Sequence, residues 1–256
     1  MSCYFSAEQL IALDQRRNEV SESFRALRDQ CISRRFKSDR AREYARHGFG
    51  RRLGTLVHAI DQVFEALPPE QVDVPERQET TNATVAIQSF VMNVFGCLDN
   101  LAWIWVYEKD LKTGDRRDLD PMSVGLGRRH KTIWNSFSDE FRQHLDQRQD
   151  WFEHLKGFRD SLAHRIPLYV PPYIVPVEKA DEYNRLEQAS GEALQRADVN
   201  EYDRLQSEQR KLVRFRPWMT HSLYEDAPTV IFHSQLLADY MTIDEFGRIL
   251  LRELDR

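Results

Sequence analysis

The chain has 256 residues and 41% hydrophobic side chains, enough material for a sizeable buried core, so a disordered polymer is excluded. A formal net charge of −5 excludes a protein that coats nucleic acid nonspecifically, because that activity needs a net positive surface to displace counterions from phosphate. A local basic site remains compatible with this balance. Of the 36 basic residues 29 are arginines, whose planar fork suits phosphate and carboxylate, although surface arginines are also ordinary.

Ten glycines and ten prolines interrupt a chain rich in Arg, Glu, Gln, Leu and Ala, which predicts a mostly all-α helical bundle over residues 1–256. Three widely spaced cysteines, Cys3, Cys31 and Cys97, form no CxxC pair, so neither a disulfide framework nor a zinc site is expected, and a reducing, cytoplasmic setting is. The N-terminal residues lack the basic start and apolar core of a signal peptide and instead place Ser6 as the cap of a first helix.

That helix is predicted over 7–33, with Leu10, Leu13, Val20, Phe24, Leu27 and Cys31 at helical spacing, and a second over 51–67, ended by Pro68-Pro69. The segment 76–109 is apolar nearly all round, from Val85 through Phe90, Val94, Leu98 and Leu101 to Val106, and is expected to be the central core helix. Residues 85–106 also have the length of a bilayer span, but Gln88, Asn93, Asp99 and Asn100 within them argue against one. A loop is expected over 111–137, whose Gly125-Leu126-Gly127 lacks the rest of a phosphate-binding pattern.

Ser138 should open one long helix reaching Ile166. Phe141, Leu145, Arg148, Phe152, Leu155, Arg159, Leu162 and Ile166 then form its packing stripe, and Pro167 stops it. The proline-rich stretch 168–176 should run extended as a strap across the bundle. Residues 178–212, polar nearly all round, read as an exposed helical arm or insertion, with turns at Gly191 or 198–200. A small β-hairpin is expected over 213–233 around Pro228, and Thr242-Ile243-Asp244-Glu245 reads as the capping box of a final helix.

The residues that could carry chemistry concentrate in Gly157-Phe158-Arg159-Asp160-Ser161-Leu162-Ala163-His164-Arg165-Ile166-Pro167. Arg followed by His after four to six residues is expected about three times by chance in a chain this rich in arginine. It recurs before His47, His58, His154 and His221. Context distinguishes Arg159 and His164: an acid follows the Arg directly, and Gly157, Asp160 and His164 share one side of the helix, about 140° from Arg159 at the His. Asp160 and His164 are an i,i+4 pair, so the carboxylate can orient the imidazole for general acid–base work while Arg159 stabilises phosphate charge. A helix-end salt bridge, with Arg159 set against an acid such as Asp99, explains the same residues without chemistry. Acid–His pairs at Glu43/His47, Glu140/His144, Asp150/His154 and Asp160/His164 raise a metal-binding bundle as a rival, although solvated helix faces produce the same pattern, and neither a metal nor another cofactor is expected.

The run from Phe158 to Arg165 resembles the Arg-polar-x3-His motif of HEPN domains, all-helical modules named for higher eukaryotes and prokaryotes nucleotide-binding. The preceding helix with Leu98-Asp99-Asn100-Leu101-Ala102 is similar to bacterial members of that family. The resemblance covers residues 76–170. It implies a metal-independent endoribonuclease of a toxin or phage-defence type, in which Arg159, Asp160 and His164 are catalytic and dimerisation forms a composite cleft. Arg165, Tyr169 and Asn100 are expected substrate contacts. The expected partners are RNA, a second copy of the chain and an antitoxin protein, with no membrane. A noncatalytic helical interaction or nucleotide-binding module is the alternative, with the arm at 178–212 and the dimer face as its working surfaces.

Overall fold

In the computed structural model, which describes residues 3–222 and 229–256, the protein is a mostly α-helical bundle around one continuous hydrophobic core. Helix α1 (Ala7–Ser33) begins at a capping box in which the Ser6 hydroxyl accepts the Gln9 N–H and the Gln9 side chain accepts the Ser6 N–H. These bonds satisfy two of the backbone donors that a helix start leaves open. Its buried positions, Leu13, Val20, Leu27 and Cys31, form a narrow stripe at multiples of three and four.

After α2 (Asp39–Glu43) the chain passes through a π-helical segment, Tyr44–Phe49, directly into α3 (Gly50–Ala66). Helix α4 (Arg77–Glu108) follows a Glu76/Glu79 capping box and buries Ala83, Ile87, Phe90, Val94, Cys97, Leu101 and Trp105 among α2, α3, the π-helical segment and the C-terminal helix. It is the central helix that its all-round apolar sequence predicts. Its length and composition would suffice to cross a bilayer, but 56% of its most apolar window is buried inside the bundle, as in the core helix of a soluble protein.

The connection 111–137 holds a 3-10 turn at Pro121–Ser123 and a short helix α5 (Lys131–Trp134). The long helix expected from Ser138 to Ile166 is two helices, α6 (Asp139–Asp146) and α7 (Gln149–His164). No glycine or proline marks the break, so tertiary packing makes it: the elbow closes around Phe246, which His144, Trp151 and Phe152 all touch at ring-centroid distances of 5.5–5.8 Å. Arg148 donates to Glu245 at 2.9 Å from the same corner. The break rotates the stripe, so α7 buries Leu155, Phe158 and Ser161 while Ile166 is left exposed beyond its end.

The strap runs extended as expected. Gln88 donates to the Leu168 carbonyl at 2.6 Å, Val170 N–H reaches the Thr84 hydroxyl, and backbone bridges join Tyr169 to Thr220 and Ile174 to Arg214. The arm is a helical hairpin of α8 (Ala180–Gln195) and α9 (Val199–Arg210), turning at 196–198, with Asp198 capping α9 and Gly191 lying inside α8 rather than at a turn. Strands β1 (Trp218–Met219) and β2 (Val230–Ile231) pair antiparallel, Trp218 against Ile231, while Pro228 lies outside the described residues.

The final helix, α10 (Phe232–Glu253), starts ten residues before the expected capping box. The Thr242 hydroxyl sits in mid-helix and bonds back to the Ala238 carbonyl. The buried polar residues His233 and Asp239 mask the apolar period of its first turns, Phe232, Leu236 and Tyr240. Gly247 lets α10 approach closely: a Cβ there would meet Phe49 at 2.9 Å and Leu27 at 3.0 Å.

Candidate functional site

The C-terminal turns of α7 present the motif residues at the surface beside α4. Arg159, with 41% of its side chain exposed, lies with its guanidinium carbon 5.3 Å from the centre of the Phe95 ring. Its Nη1 donates to Asp160 Oδ1 at 2.9 Å, and that bond, first among the influences on Asp160, holds the carboxyl below the usual range. Lys156 and His164 push in the same direction from either side. His164 is exposed on the last turn of α7, its charge is felt at Asp160, and it has no hydrogen bond or ion pair among the described residues. The acid of the motif is therefore bonded to the Arg, with the His beside it. Around Gly157 the same side of α7 is open, since a Cβ there would meet nothing within 4 Å.

The remaining expected contacts separate. Arg165 turns back along α7, donating to the Ser161 hydroxyl at 3.2 Å. Tyr169 is held in the strap through its backbone bridge to Thr220. Asn100 faces α3, where its Oδ1 accepts Arg52 Nε at 3.1 Å, while Arg52 Nη1 donates to Asn93 Oδ1 at 2.9 Å. Gly96 lies one turn from both amides, and a Cβ on it would fall 2.3 Å from the Arg52 guanidinium carbon, so the missing side chain is the seat in which this arginine lies. The spacing Asn93, Gly96, Asn100 places the three on one face of α4.

Asp99, which the sequence offers as an acid for Arg159, is the link between these groups. Neighbouring atoms desolvate its carboxyl and push its pKa up, although its residue surface is exposed. Arg159, Arg52, His130 and Arg129 oppose that shift, so two helices and a loop bring basic groups toward one carboxylate. His130 itself is buried, accepts Arg129 Nε at 2.9 Å and is pushed toward its neutral form mainly by burial. Three cavities, of about 480, 470 and 140 Å³, lie along α10, away from Arg159, Asp160 and His164.

Among the described residues no group of three His, Cys, Asp or Glu is placed to hold a metal ion, and His144, expected to pair with Glu140, lies instead 3.8 Å from Glu245. No known protein family, curated protein or solved structure matches the chain.

Proposed function

We propose that the protein is a metal-independent endoribonuclease of a toxin or phage-defence type, acting in the cytoplasm as a homodimer and restrained by an antitoxin protein. The observation that carries this reading is the grouping of Arg159, Asp160 and His164 at the surface end of α7, with open space at Gly157 on the side the acid and the His share. In this reading a second copy of α7 lies against that open side and supplies a second Arg and His, completing a motif that each protomer carries at its surface.

In the cleavage step one His164 takes the proton of the ribose 2′-hydroxyl, the 2′-oxygen attacks phosphorus, and the P–O5′ bond breaks. The other His164 protonates the leaving 5′-oxygen, giving a 2′,3′-cyclic phosphate and a 5′-hydroxyl. Arg159 faces the extra charge on the phosphoryl oxygens, and its bond to Asp160 fixes where the guanidinium sits. The rival, a noncatalytic interaction or nucleotide-binding module, is favoured by that same bond together with the Phe95 contact, since both satisfy Arg159 inside its own protomer.

Incubation of total RNA with the wild type, Arg159→Ala and His164→Ala in EDTA separates the two. Cleavage by the wild type alone, leaving cyclic phosphate ends, is expected. Equal RNA integrity in all three sinks the nuclease reading.

A further inference from the structure

The segment 34–52 carries eight Arg and Lys against two acids in a chain whose net charge is −5, and it folds as α2, the π-helical segment and the start of α3 against the C-terminal half of α4. Its buried side chains, Ala41, Ala45 and Phe49, anchor it to the core. Arg35, Lys37, Arg40, His47 and Arg51 face solvent. The Glu108 carboxylate fixes where the segment begins by accepting the N–H groups of Lys37 and Ser38.

Beside these cations two aromatic side chains of α4, Trp103 and Tyr107, are half-buried at the surface, while Phe90 and Trp105 of the same helix lie in the core. Trp103 and Tyr107, one turn apart, stack at 5.1 Å with an interplanar angle of 21°, and Tyr44 from the π-helical segment closes against both at 6.0 and 5.3 Å. Arg40 lies over Tyr107, 5.1 Å from its centre, with 65% of its side chain exposed. The column Trp103–Tyr107–Arg40 therefore ends at the surface in a flat cation. Its ion pair, Asp118 at 3.8 Å, is itself exposed and weak.

Flat aromatics, a guanidinium plane and a surrounding positive field are what unpaired bases and their phosphates bind. Along α4 the column continues toward Asn100 with Arg52 and then Phe95 beneath Arg159, a run of twelve residues or about 18 Å. The track thus leads to the proposed cleavage site.

We propose that the Trp103–Tyr107–Arg40 column is a base-stacking subsite for single-stranded RNA, with Arg35, Lys37 and Arg51 neutralising its phosphates. The inference rests on the nuclease reading for its choice of RNA, but binding is measured apart from cleavage. The test uses fluorescence anisotropy of a labelled single-stranded oligoribonucleotide with His164→Ala protein, into which Arg40→Ala and Tyr107→Ala are introduced singly and together.

Each substitution is expected to weaken binding about tenfold, and Tyr107→Phe, which keeps the ring and serves as a folding control, to bind like its parent. Removing Arg40 should also flatten the dependence of log affinity on log salt. An oligonucleotide that does not bind, that binds Arg40→Ala/Tyr107→Ala as tightly as the parent, or whose duplex form depends equally on the column, overturns the proposal. Column-dependent binding by a wild type that never cuts RNA would refute the nuclease alone. Cutting and binding indifferent to the column would refute the subsite alone.

Discussion

Asp239 gives the sharpest test of how the bundle is held together. Its carboxylate is buried, with 4% of the residue exposed, and one oxygen accepts both Trp151 Nε1 of α7 and Gln235 Nε2 of α10 at 2.8 Å. Burial outweighs these two donors and raises its pKa from 3.8 to about 6. A carboxyl that holds its proton more tightly in the fold than in the unfolded chain contributes stability that is fully present below about pH 3.8 and is lost as pH rises through about 6. The whole shift is worth about 3 kcal/mol, of which about 2 kcal/mol falls between pH 4.5 and 7.5.

Asp239→Asn keeps the oxygen that accepts both bonds and removes the charge. The quantity to measure is the difference in unfolding free energy between variant and wild type, from urea titrations at steps between pH 4.5 and 7.5, because other ionisations cancel in that difference. The variant should gain on the wild type by about 2 kcal/mol over that range, most of it between pH 5 and 7. Parallel pH curves for the two proteins would refute the argument, because the charge would then not be buried against its interest.

His233 predicts the opposite slope. Burial among Phe5, Phe64 and Phe232 lowers its pKa to about 4 while its Nε2 bonds to the Leu67 carbonyl, so its contribution is present above about pH 6.5 and is lost as pH falls toward 4. In the wild type the two groups offset each other, and His233→Gln should steepen the stabilisation on acidification that Asp239 supplies; an unchanged urea midpoint profile from pH 7 to 4.5 would contradict this. Gly96→Ala should push Arg52 from its seat, break its bonds to Asn93 and Asn100 and lower stability by about 1–3 kcal/mol, and a thermal midpoint equal to wild type would mean that the seat is not needed. Leu27→Ala, at a fully buried site touching the Gly247 approach, should cost about 2–5 kcal/mol in urea unfolding, and a loss below about 1 kcal/mol would place the α1–α10 packing elsewhere.

The elements legible in the sequence are those whose local signals and tertiary packing agree. Helix α4 is apolar on every side and is central, and Ser6 caps α1 where a hydroxyl precedes a periodic run. The errors arise where packing overrides pattern. The elbow at 147–148 has no breaking residue and exists because α6 and α7 wrap Phe246 from two directions, and α10 begins early because two buried polar side chains interrupt its apolar period. The segment 34–52 escapes helical periodicity for a related reason: one buried apolar residue in α2 and two in the π-helical turn that follows leave no 3.6-residue repeat to find, although its charge is plain in composition.

The motif at Arg159 divides along the same line. A periodic stripe that ignores the elbow places Arg159 inward with the buried residues of α7. The rotated helix instead buries Phe158 and Ser161 and leaves Arg159 at the rim, where one face of its guanidinium meets Phe95 and the other groups it reaches are acids. That rotation decides which chemistry is open to it. A fully buried arginine is committed to its partner, because removing it from that partner strands a charge in low dielectric; a rim arginine can exchange an exposed carboxylate for a phosphate at little cost. The same argument sets the order in which the motif must be tested. Asp160→Ala frees the Arg159 fork and leaves His164 in place, so an ion pair that serves only structure loses helix-end stability and nothing else, whereas a phosphate-facing Arg changes its affinity for RNA with no change in fold.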